Sequence, residues 1–454
     1  MTFRSVNPFD GSTLATLEAF TAVEVDAAIR ETAQARAAWS ATPIGERCDL
    51  LRRAARVLER RREEFARLIT EEMGKLIKES RAEVEKCQLV CEYYAEHAPA
   101  FLADEMVDSD AGRSLVAYQP LGTVLAVMPW NFPFWQVFRF AAPGLAAGNT
   151  ALLKHASNVP RCALAIESVF VEAGFPQGVF RTLMIPASMV ARVIDSDDVH
   201  AVTLTGSEPA GRQVAAHAGA QLKKCVLELG GSDPFIILED ADLEYTVRMA
   251  VTSRFLNGGQ SCIAAKRFIP VAAIADRFVE AFKTAVEELV PGDPMDESTT
   301  LPPMARHNLR DELHQQVLDS IAAGAVAVTG CAPGAGPGAF YQASILDQVK
   351  PGIRAYTEEL FGPVAIVIRA EDEEDAIRIA NSSRFGLGGS AWTADAGRGE
   401  RVARRLECGC AFVNGIVKSD PRLPFGGVKA SGYGRELSHH GIHEFVNAKT
   451  VWVK

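Results

Sequence analysis

The sequence predicts an α/β fold built around doubly wound parallel sheets. Short apolar or β-branched runs alternate with helix-like segments between residues 123 and 230, and a second alternation follows between residues 233 and 415. Strands that alternate with helices of this length form βαβ units and parallel sheets. The chain of 454 residues is also too long for a single hydrophobic core, so about two to three domains are expected.

The periodicity of apolar residues predicts the individual elements. Residues 22–98 are predicted to be mostly helical, because apolar side chains recur every three or four positions with charged side chains between them. Ligands of parallel sheets bind beyond the carboxyl ends of the strands, which is where we expect the site. The strands of the first alternation are predicted at 123–128, 150–154, 179–185, 201–206 and 224–230, and those of the second lie in DPFIILED, RFIPVAA, AVAVTG, FGPVAIVIRA and CAFVNG.

Two strand-like segments stand outside both alternations. Residues 114–122 have an extended pattern, and the final KTVWVK has the pattern of a lone last strand. Each of these strands needs a partner, and we expect an edge that is used for contact between subunits. The Gly/Pro-rich residues 331–340 are predicted to form a surface loop, because strand patterns resume on both sides of them.

Composition and charge argue against several classes of partner. The net charge of −10 is spread over small clusters, and no apolar run reaches the roughly 18 residues of a membrane span, so neither nucleic acid nor membrane is an expected partner. The N-terminus lacks the apolar core of a signal peptide, and the nine cysteines are scattered, which predicts a cytoplasmic protein without a disulfide framework. No cysteines have the spacing of a zinc site, and His439, His440 and His443 are expected in a helix, so no metal is predicted.

The stretch NGGQSC, which ends in Cys262, suits a reactive thiol better than a packing one. Glycines let the backbone come close to a ligand, and backbone N–H groups beside a sulfur favour its thiolate. A cysteine that only packs prefers an apolar helix or strand around it. On these residues alone, a buried structural cysteine remains the alternative.

Seven motifs occur along the chain in one order. They are PWNFP with Asn131, LLKHAS with Lys154 and Ser157, TLTGS with Gly206 and Ser207, LELGGSDPF with Glu228, NGGQSC with Cys262, EELFGPV with Glu359 and Phe361, and PFGGVKASGYGRE. Together they resemble the NAD(P)-dependent aldehyde dehydrogenase superfamily from about residue 5 to 450. Within that family, VLELGGSDPFI, SCIAAKRF, LPFGGVKASGYGREL and HGIHEF are most similar to the succinate-semialdehyde dehydrogenase group.

The resemblance implies the aldehyde dehydrogenase fold, which has three parts. A Rossmann-like cofactor-binding domain is expected at residues 1–105 and 121–230, and an α/β catalytic domain at 231–432. A small β extension for oligomerisation is expected from residues 106–120 and 433–454. A homodimer or homotetramer is the implied assembly.

The resemblance also implies how an aldehyde reacts. The Cys262 thiolate attacks the aldehyde, and the thiohemiacetal passes a hydride to the nicotinamide and becomes a thioester. Asn131 and the Cys262 backbone N–H form the oxyanion hole, and Glu228 activates the water that hydrolyses the thioester. On the residues alone, a turn role for Asn131 and a salt bridge from Glu228 to Lys223 or Lys224 remain alternatives.

Cofactor binding does not rest on a GxGxxG fingerprint, because Gly206 and Gly211 are too far apart for one. The resemblance implies a pyrophosphate at a helix N-terminus that Gly206 and Ser207 begin, although the pair also suits an ordinary N-cap. Ser157 stands where NAD-preferring members carry a glutamate, so NADP is preferred over NAD unless Ser157 only starts a helix. Lys154 and Glu359 are implied to hold the riboses, and Phe361 to pack near the nicotinamide. The full set of implied cofactor-binding residues is Trp130, Lys154, Ser157, Gly206, Ser207, Glu359 and Phe361.

The resemblance implies a substrate that carries a carboxylate. Arg139, in the aromatic helix FWQVFRFAAP, and Ser419 match the residues that hold the carboxylate of succinate semialdehyde. A second arginine of some relatives is Leu256 here, and a family lysine tied to proton relay is Phe140. Glutarate semialdehyde or another small aldehyde, a CoA-acylating enzyme, an inactive binding protein and a cysteine hydrolase remain alternatives.

Overall fold

The computed structural model describes residues 2–454, in which helices and strands alternate along most of the chain. The strands are β1 (Thr2–Val6), β2 (Thr13–Glu18), β3 (Glu105–Met106), β4 (Arg113–Pro120), β5 (Thr123–Met128), β6 (Thr150–His155), β7 (Phe180–Thr182), β8 (Ala201–Thr205), β9 (Lys224–Glu228), β10 (Asp233–Ile237), β11 (Ala265–Pro270), β12 (Val326–Thr329), β13 (Ser344–Asp347), β14 (Val364–Val367), β15 (Phe385–Gly386), β16 (Gly388–Trp392), β17 (Cys410–Val413), β18 (Val428–Lys429), β19 (Gly432–Tyr433) and β20 (Val446–Val453). The α-helices are α1 (Ala22–Ala41), α2 (Ile44–Arg60), α3 (Arg62–Met73), α4 (Ile77–Phe101), α5 (Trp135–Ala146), α6 (Pro160–Ala173), α7 (Val190–Asp195), α8 (Glu208–Ala220), α9 (Leu243–Phe255), α10 (Ala275–Glu287), α11 (His307–Ala322), α12 (Arg354–Thr357), α13 (Glu373–Asn381), α14 (Ala396–Arg405) and α15 (Ser438–His443).

The first large sheet has six strands in the order β19-β9-β8-β5-β6-β7. The five strands predicted from the first alternation are all present and pair in parallel, while the short β19 is antiparallel to β9. Met128 pairs with His155 at the ends of β5 and β6, and Thr205 pairs with Glu228 at the ends of β8 and β9. Parallel pairing therefore brings the carboxyl ends of four strands to one edge of the sheet.

The second large sheet has seven strands in the order β12-β13-β14-β11-β10-β16-β17. Its pairs are parallel except for the edge strand β12, so the predicted α/β class with parallel sheets is confirmed. The sequence patterns missed β13 and β16, although both are buried along their whole length. Strand β13 has only four residues, and β16 starts with two glycines, which weaken a strand pattern.

A third sheet joins the two segments that had no partner in the sequence patterns. Strand β20 pairs antiparallel with β4, from Val446 opposite Pro120 to Val453 opposite Arg113, and β3 pairs with the other edge of β4. The two predicted strands are therefore partners of each other within one chain. The loop predicted at 331–340 contains no helix or strand. A hairpin of β1 and β2 and the small pair of β15 and β18, which the patterns did not predict, complete the sheets of residues 2–454.

Helix α4 positions much of the site, because its 25 residues pack against α2, α3 and α5. The predicted helical region is confirmed as α1 to α4. Glu83 on α4 accepts hydrogen bonds from the backbone N–H groups of Phe134 (2.8 Å) and Trp135 (3.0 Å), at the start of α5, where helix donors lack partners. These two hydrogen bonds fix α4 to α5. Buried Lys75 forms an ion pair with the same Glu83 carboxylate.

The sheets group the chain into consecutive stretches. The first large sheet takes its strands from residues 123–228 and 432–433, and the second takes them from 233–413. The domain boundaries implied by the resemblance stay a prediction. No helix in the described part of the chain is long and apolar enough to cross a bilayer.

Candidate active site at the meeting of the two large sheets

The three predicted catalytic residues lie in segments at or next to the ends of strands of the two large sheets. Asn131 follows β5, Glu228 ends β9 and Cys262 precedes β11. Gly231, three residues after Glu228, packs so closely on the Cys262 loop that a Cβ placed there would lie 2.7 Å from the Cys262 carbonyl oxygen. Asn131 Nδ2 donates to the Gln260 carbonyl oxygen at 3.1 Å. The structure thus brings all three segments together.

The loop before Cys262 makes a sharp turn, because three consecutive residues adopt left-handed backbone conformations. Asn257, Gly258 and Gly259 have φ values of 56°, 60° and 74°. A Cβ at Gly259 would lie 2.3 Å from the Gly362 carbonyl oxygen, so only glycine fits there. The sequence analysis expected these glycines to let the backbone approach a ligand. In the structure they serve the turn and its contact with the neighbouring loop, which carries Phe361.

Three buried polar side chains hold this loop in place. The Arg254 guanidinium donates to the carbonyl oxygens of Gly259 (2.6 Å), Gly362 (2.7 Å) and Ala265 (3.2 Å). Lys266 Nζ donates to the carbonyl oxygens of Ser261 (2.7 Å) and Cys262 (2.8 Å). Asn257 Nδ2 donates to the Asn131 carbonyl oxygen at 2.8 Å, which ties the loop to the segment after β5. The position of the Cys262 backbone is therefore fixed by hydrogen bonds on both sides.

The Cys262 thiol lies in the wall of a cavity and is partly exposed to it. Burial raises the pKa of this thiol to about 12, and the positive charges of Arg139 and Lys266 offset only part of the rise. The thiol is therefore protonated at neutral pH in the described state. Its reaction as a nucleophile requires an acceptor for that proton or an added positive charge nearby.

Glu228 is buried, and neither of its carboxylate oxygens has a hydrogen-bond partner among residues 2–454. Burial raises the pKa of Glu228 well above its ordinary value, Glu436 raises it further, and Arg139 opposes the rise. The alternative salt bridge is not formed. Lys224 pairs with Glu444 at 2.9 Å, and Lys223 Nζ donates to backbone carbonyl oxygens. A buried carboxyl group without a partner is costly, which indicates a group kept for chemistry.

The cavity beside Cys262 has a volume of about 370 Å³ and lies between α4, α5 and the chain segment after β17. Arg139 on α5 reaches it, but its guanidinium already forms an ion pair with buried Glu436. Arg139 Nη2 also donates to Thr205 Oγ1 at 3.2 Å, and the guanidinium lies 4.8 Å from the Phe425 ring centroid. A guanidinium in so aromatic a helix needs a partner, and Glu436 supplies it.

Ser419 lies at the same cavity and is buried. Its Oγ accepts hydrogen bonds from Lys86 Nζ at 2.8 Å and from Trp135 Nε1 at 3.1 Å. Leu256, which stands where some relatives have an arginine, also lines the cavity. Both predicted substrate residues therefore face the same space as Cys262.

The residues expected near a nicotinamide lie together. The rings of Trp130 and Phe361 meet edge to face, with centroids 5.8 Å apart and an interplanar angle of 89°. Glu359 Oε1 pairs with Lys266 at 2.9 Å and accepts from the Gly231 N–H at 3.2 Å. Glu359 therefore lies beside the Cys262 loop, to which Lys266 also binds.

Three of the residues expected to bind the rest of the dinucleotide carry polar groups that are available to a ligand. Ser207 is the N-cap of α8, yet its hydroxyl makes no capping hydrogen bond. Ser157 is exposed and does not cap α6, because the N-cap there is Val159. Lys154 is the last residue but one of strand β6, and burial lowers its pKa. An unused N-cap hydroxyl, an open serine and a desolvated lysine fit an anionic dinucleotide with a 2′-phosphate.

Four further side chains of this region were not predicted from the sequence, namely Lys86, Arg254, Lys266 and Glu436. Lys266 lies next to Arg267 in the fully buried strand β11, and Arg254 and Glu436 are also buried. A charged residue within an apolar run was the available signal, since such a charge needs a partner. Nothing in the sequence pattern around Lys86 points to a cavity, because it lies in a helix rich in charged residues.

This fold, with a thiol, a primary amide and a buried carboxyl group at the ends of its strands, defines an enzyme of the aldehyde dehydrogenase class. The family model described as "Aldehyde dehydrogenase family" matches residues 1–451, and the chain belongs to that family. A probable NADP(+) succinate-semialdehyde dehydrogenase of Synechocystis sp. is 50% identical over 453 residues, with 100% of both chains covered.

Another relative and a solved structure have similar names. The Escherichia coli protein named succinate semialdehyde dehydrogenase NAD(P)+ Sad is 49% identical, over 99% of this chain and 97% of its own. The crystal structure of succinic semialdehyde dehydrogenase from Streptococcus pyogenes in complex with NADP+ superimposes with a TM-score of 0.98 at 37% identity, and 99% of each chain is covered.

The raised pKa of Cys262 predicts a distinct pH dependence of its alkylation. Because a pKa of about 12 lies above the range tested, the thiolate fraction grows about tenfold per pH unit from pH 7 to pH 10, and so should the rate with iodoacetamide. Mass spectrometry of the peptide that contains Cys262 measures that rate, with glutathione in the same tube as the control. A rate for Cys262 that levels off below pH 9 would contradict the prediction.

Proposed function

We propose that this protein oxidises succinate semialdehyde to succinate with NADP as the preferred hydride acceptor. The observation that carries the proposal is one cavity of about 370 Å³ that holds Cys262 in its wall together with Arg139, Ser419 and Lys86. A thiol suits the aldehyde end of the substrate, and cationic and hydroxyl donors suit a carboxylate at the other end. The names of the similar proteins from Synechocystis sp. and Escherichia coli agree with this substrate.

The first step is attack of the Cys262 sulfur on the aldehyde carbon. The thiol loses its proton to solvent water, a C–S bond forms as the C=O π bond opens, and the carbonyl oxygen becomes an oxyanion that needs fixed donors. Asn131 Nδ2 carries two protons and uses one for the Gln260 carbonyl oxygen, so the other is available. We propose that this N–H and the Cys262 backbone N–H bind the oxyanion.

The second step converts the thiohemiacetal into a thioester and then into an acid. A nicotinamide cofactor supplies the acceptor for the hydride that leaves the substrate carbon. Water then attacks the thioester carbonyl, the C–S bond breaks, and Glu228 accepts the proton of the water. Because the pKa of Glu228 is raised, the carboxylate form that this step needs becomes more populated as pH rises.

Arg139 and Ser419 are the proposed carboxylate-binding residues. Arg139 uses Nε for Glu436 and Nη2 for Thr205, which leaves Nη1 to bind a carboxylate. The Ser419 hydroxyl accepts two hydrogen bonds and keeps its own proton to donate. A five-carbon semialdehyde, glutarate semialdehyde, is the alternative substrate with the same end groups.

Two other activities are less consistent with the site. A CoA-acylating enzyme does not need a group that activates water, and Glu228 is present and unpartnered. A cysteine hydrolase needs a histidine base, but burial lowers the pKa of His155 to about 4 and both ring nitrogens are engaged. Nε2 binds the Pro133 carbonyl oxygen at 2.9 Å, and Nδ1 accepts from the Ala156 N–H at 2.8 Å.

For the cofactor we propose contacts with Trp130, Lys154, Ser157, Gly206, Ser207, Glu359 and Phe361. The unused Ser207 hydroxyl at the N-terminus of α8 supports a pyrophosphate contact, since a helix N-terminus attracts anions. Glu208 in the first turn does not oppose this strongly, because Arg212 and Arg384 pair with it. Ser157 and Lys154 support recognition of a 2′-phosphate.

For the assembly we propose a homodimer or homotetramer. Strand β20 pairs on one side only, and Trp452 and Val453 on it are about half exposed. A strand edge with exposed apolar residues favours addition of another strand.

For the cellular location we propose the cytoplasm. All nine cysteines are free, and five of them are buried, which supports this proposal.

Comparison of aldehydes and cofactors tests the proposed function directly. We expect kcat/KM for succinate semialdehyde to exceed that for butyraldehyde about 10- to 150-fold, because a charge-assisted pair in a dry pocket contributes roughly 1.5–3 kcal/mol. NADP should give higher kcat/KM than NAD, and added CoA should yield no acyl-CoA. Equal kcat/KM for the two aldehydes would reduce the proposal to an aldehyde dehydrogenase of undefined substrate.

Replacement of Glu228 tests its role in hydrolysis. Glu228→Gln should give one rapid burst of NADPH and then stall at the thioester, because attack and hydride transfer do not need the water. Stopped-flow absorbance measures the burst, and the exposed Glu18→Gln variant is the control. Normal steady-state turnover of Glu228→Gln would remove Glu228 from the mechanism.

Replacement of Ser157 tests the cofactor preference. Ser157→Glu places a negative charge where a 2′-phosphate is proposed to lie, so the ratio of kcat/KM for NADP over NAD should fall at least about tenfold. Ser40→Glu adds the same charge on an exposed face of α1 and should leave the ratio unchanged. An unchanged ratio in Ser157→Glu would place the 2′-phosphate elsewhere.

A further inference from the structure

The ammonium group of Lys86 lies at the cavity without any of the assigned roles. Lys86 projects from α4, its Nζ donates to Ser419 Oγ at 2.8 Å, and it lies 4.2 Å from the centroid of the Trp135 ring. Trp135 and Ser419 line the same cavity as Cys262. Lys86 therefore holds a positive charge in the space where the substrate is proposed to bind.

Three charged groups near Lys86 have partners of opposite charge, whereas Glu79, which also lines the cavity, forms no ion pair with any described residue. Arg139 pairs with Glu436, Glu83 pairs with Lys75, and Asp420 pairs with Arg422 at 2.6 Å. Among residues 2–454, no carboxylate lies within salt-bridge distance of the Lys86 ammonium. Burial, with Arg139 nearby, lowers the pKa of Lys86 to about 8, so an anion that binds here relieves an unfavourable charge.

The Ser419 hydroxyl adds a donor beside this charge. A serine oxygen accepts at most two hydrogen bonds and donates one. Lys86 Nζ and Trp135 Nε1 occupy both acceptor positions, so the hydroxyl proton must point to a third group. A carboxylate oxygen in the cavity provides that group and lies next to the ammonium.

We propose that Lys86, together with Ser419, forms the main binding site for the distal carboxylate of the substrate, an inference that rests on the proposed function. Lys86 takes the place of the second cation that is absent at Leu256. Arg139 forms an ion pair with Glu436, and the negative charge of Glu436 raises the pKa of Glu228. Lys86 is then a residue that determines specificity, while Arg139 also stabilises the buried acids.

Lys86→Met removes the charge and keeps an unbranched side chain of similar length over Trp135. We expect kcat/KM for succinate semialdehyde to fall about 10- to 150-fold, mainly through KM, while kcat/KM for butyraldehyde changes less than about twofold. Lys86→Arg keeps the charge and should recover most of the preference. Inhibition of butyraldehyde oxidation by succinate should weaken by a similar factor in Lys86→Met.

Lys283→Met is the matched control. Lys283 also projects from a helix, α10, but it lies outside the cavity and pairs with Glu287 at 2.8 Å. Its kcat/KM for both aldehydes should stay within about twofold of the parent protein. Thermal unfolding of each variant shows whether a loss of activity reflects a loss of folded protein.

The outcomes separate this inference from the proposed function. If the parent protein does not prefer succinate semialdehyde, the proposed substrate is wrong whatever the variants do. If the parent prefers it and Lys86→Met keeps that preference, Lys86 does not bind the carboxylate. Equal losses on both aldehydes in a folded Lys86→Met variant would make Lys86 a structural residue, which also overturns the inference.

Discussion

The arrangement of the active site depends on a buried guanidinium. Arg254 binds three backbone carbonyl oxygens, one before Cys262, one in the loop after Phe361 and one in β11. Burial destabilises the charged form of the guanidinium and lowers the pKa of Arg254 to about 9. The side chain still stays charged at neutral pH. Without it, three buried carbonyl groups lose their donors, and the left-handed turn at Gly259 has nothing to hold it against Gly362.

Charge at the site is arranged around groups that are kept out of water. Arg139 balances Glu436, and Lys266 balances Glu359 while it also binds the Cys262 carbonyl oxygen. Glu228 and the Cys262 thiol have no such partner, and burial raises the pKa of both. These are the two groups that the proposed reaction needs to give up or accept a proton, and burial favours the neutral form of each. The paired charges around them set the local potential and do not need to move.

The sequence predicted most of the fold and the strand ends that carry the site, because parallel strands have continuous apolar runs and the motifs follow them directly. It missed β13 and β16, whose short or glycine-containing runs resemble loops. It also missed the pairing of β20 with β4, since no periodicity tells which distant segment a strand will join. The ion pair of Arg139 with Glu436 was hidden for the same reason, because 297 positions, 436 minus 139, separate the two residues.

The C-terminal residues have a consequence for how the protein is made. Glu436 forms an ion pair with Arg139, Gly432 pairs with Glu228, and Val453 pairs with Arg113 near the first quarter of the chain. These contacts join residues far apart in sequence, and contacts of that kind form late. A ribosome must therefore release almost the entire polypeptide before the site is complete. The nascent chain thus carries its thiol through synthesis before burial raises the pKa of that thiol.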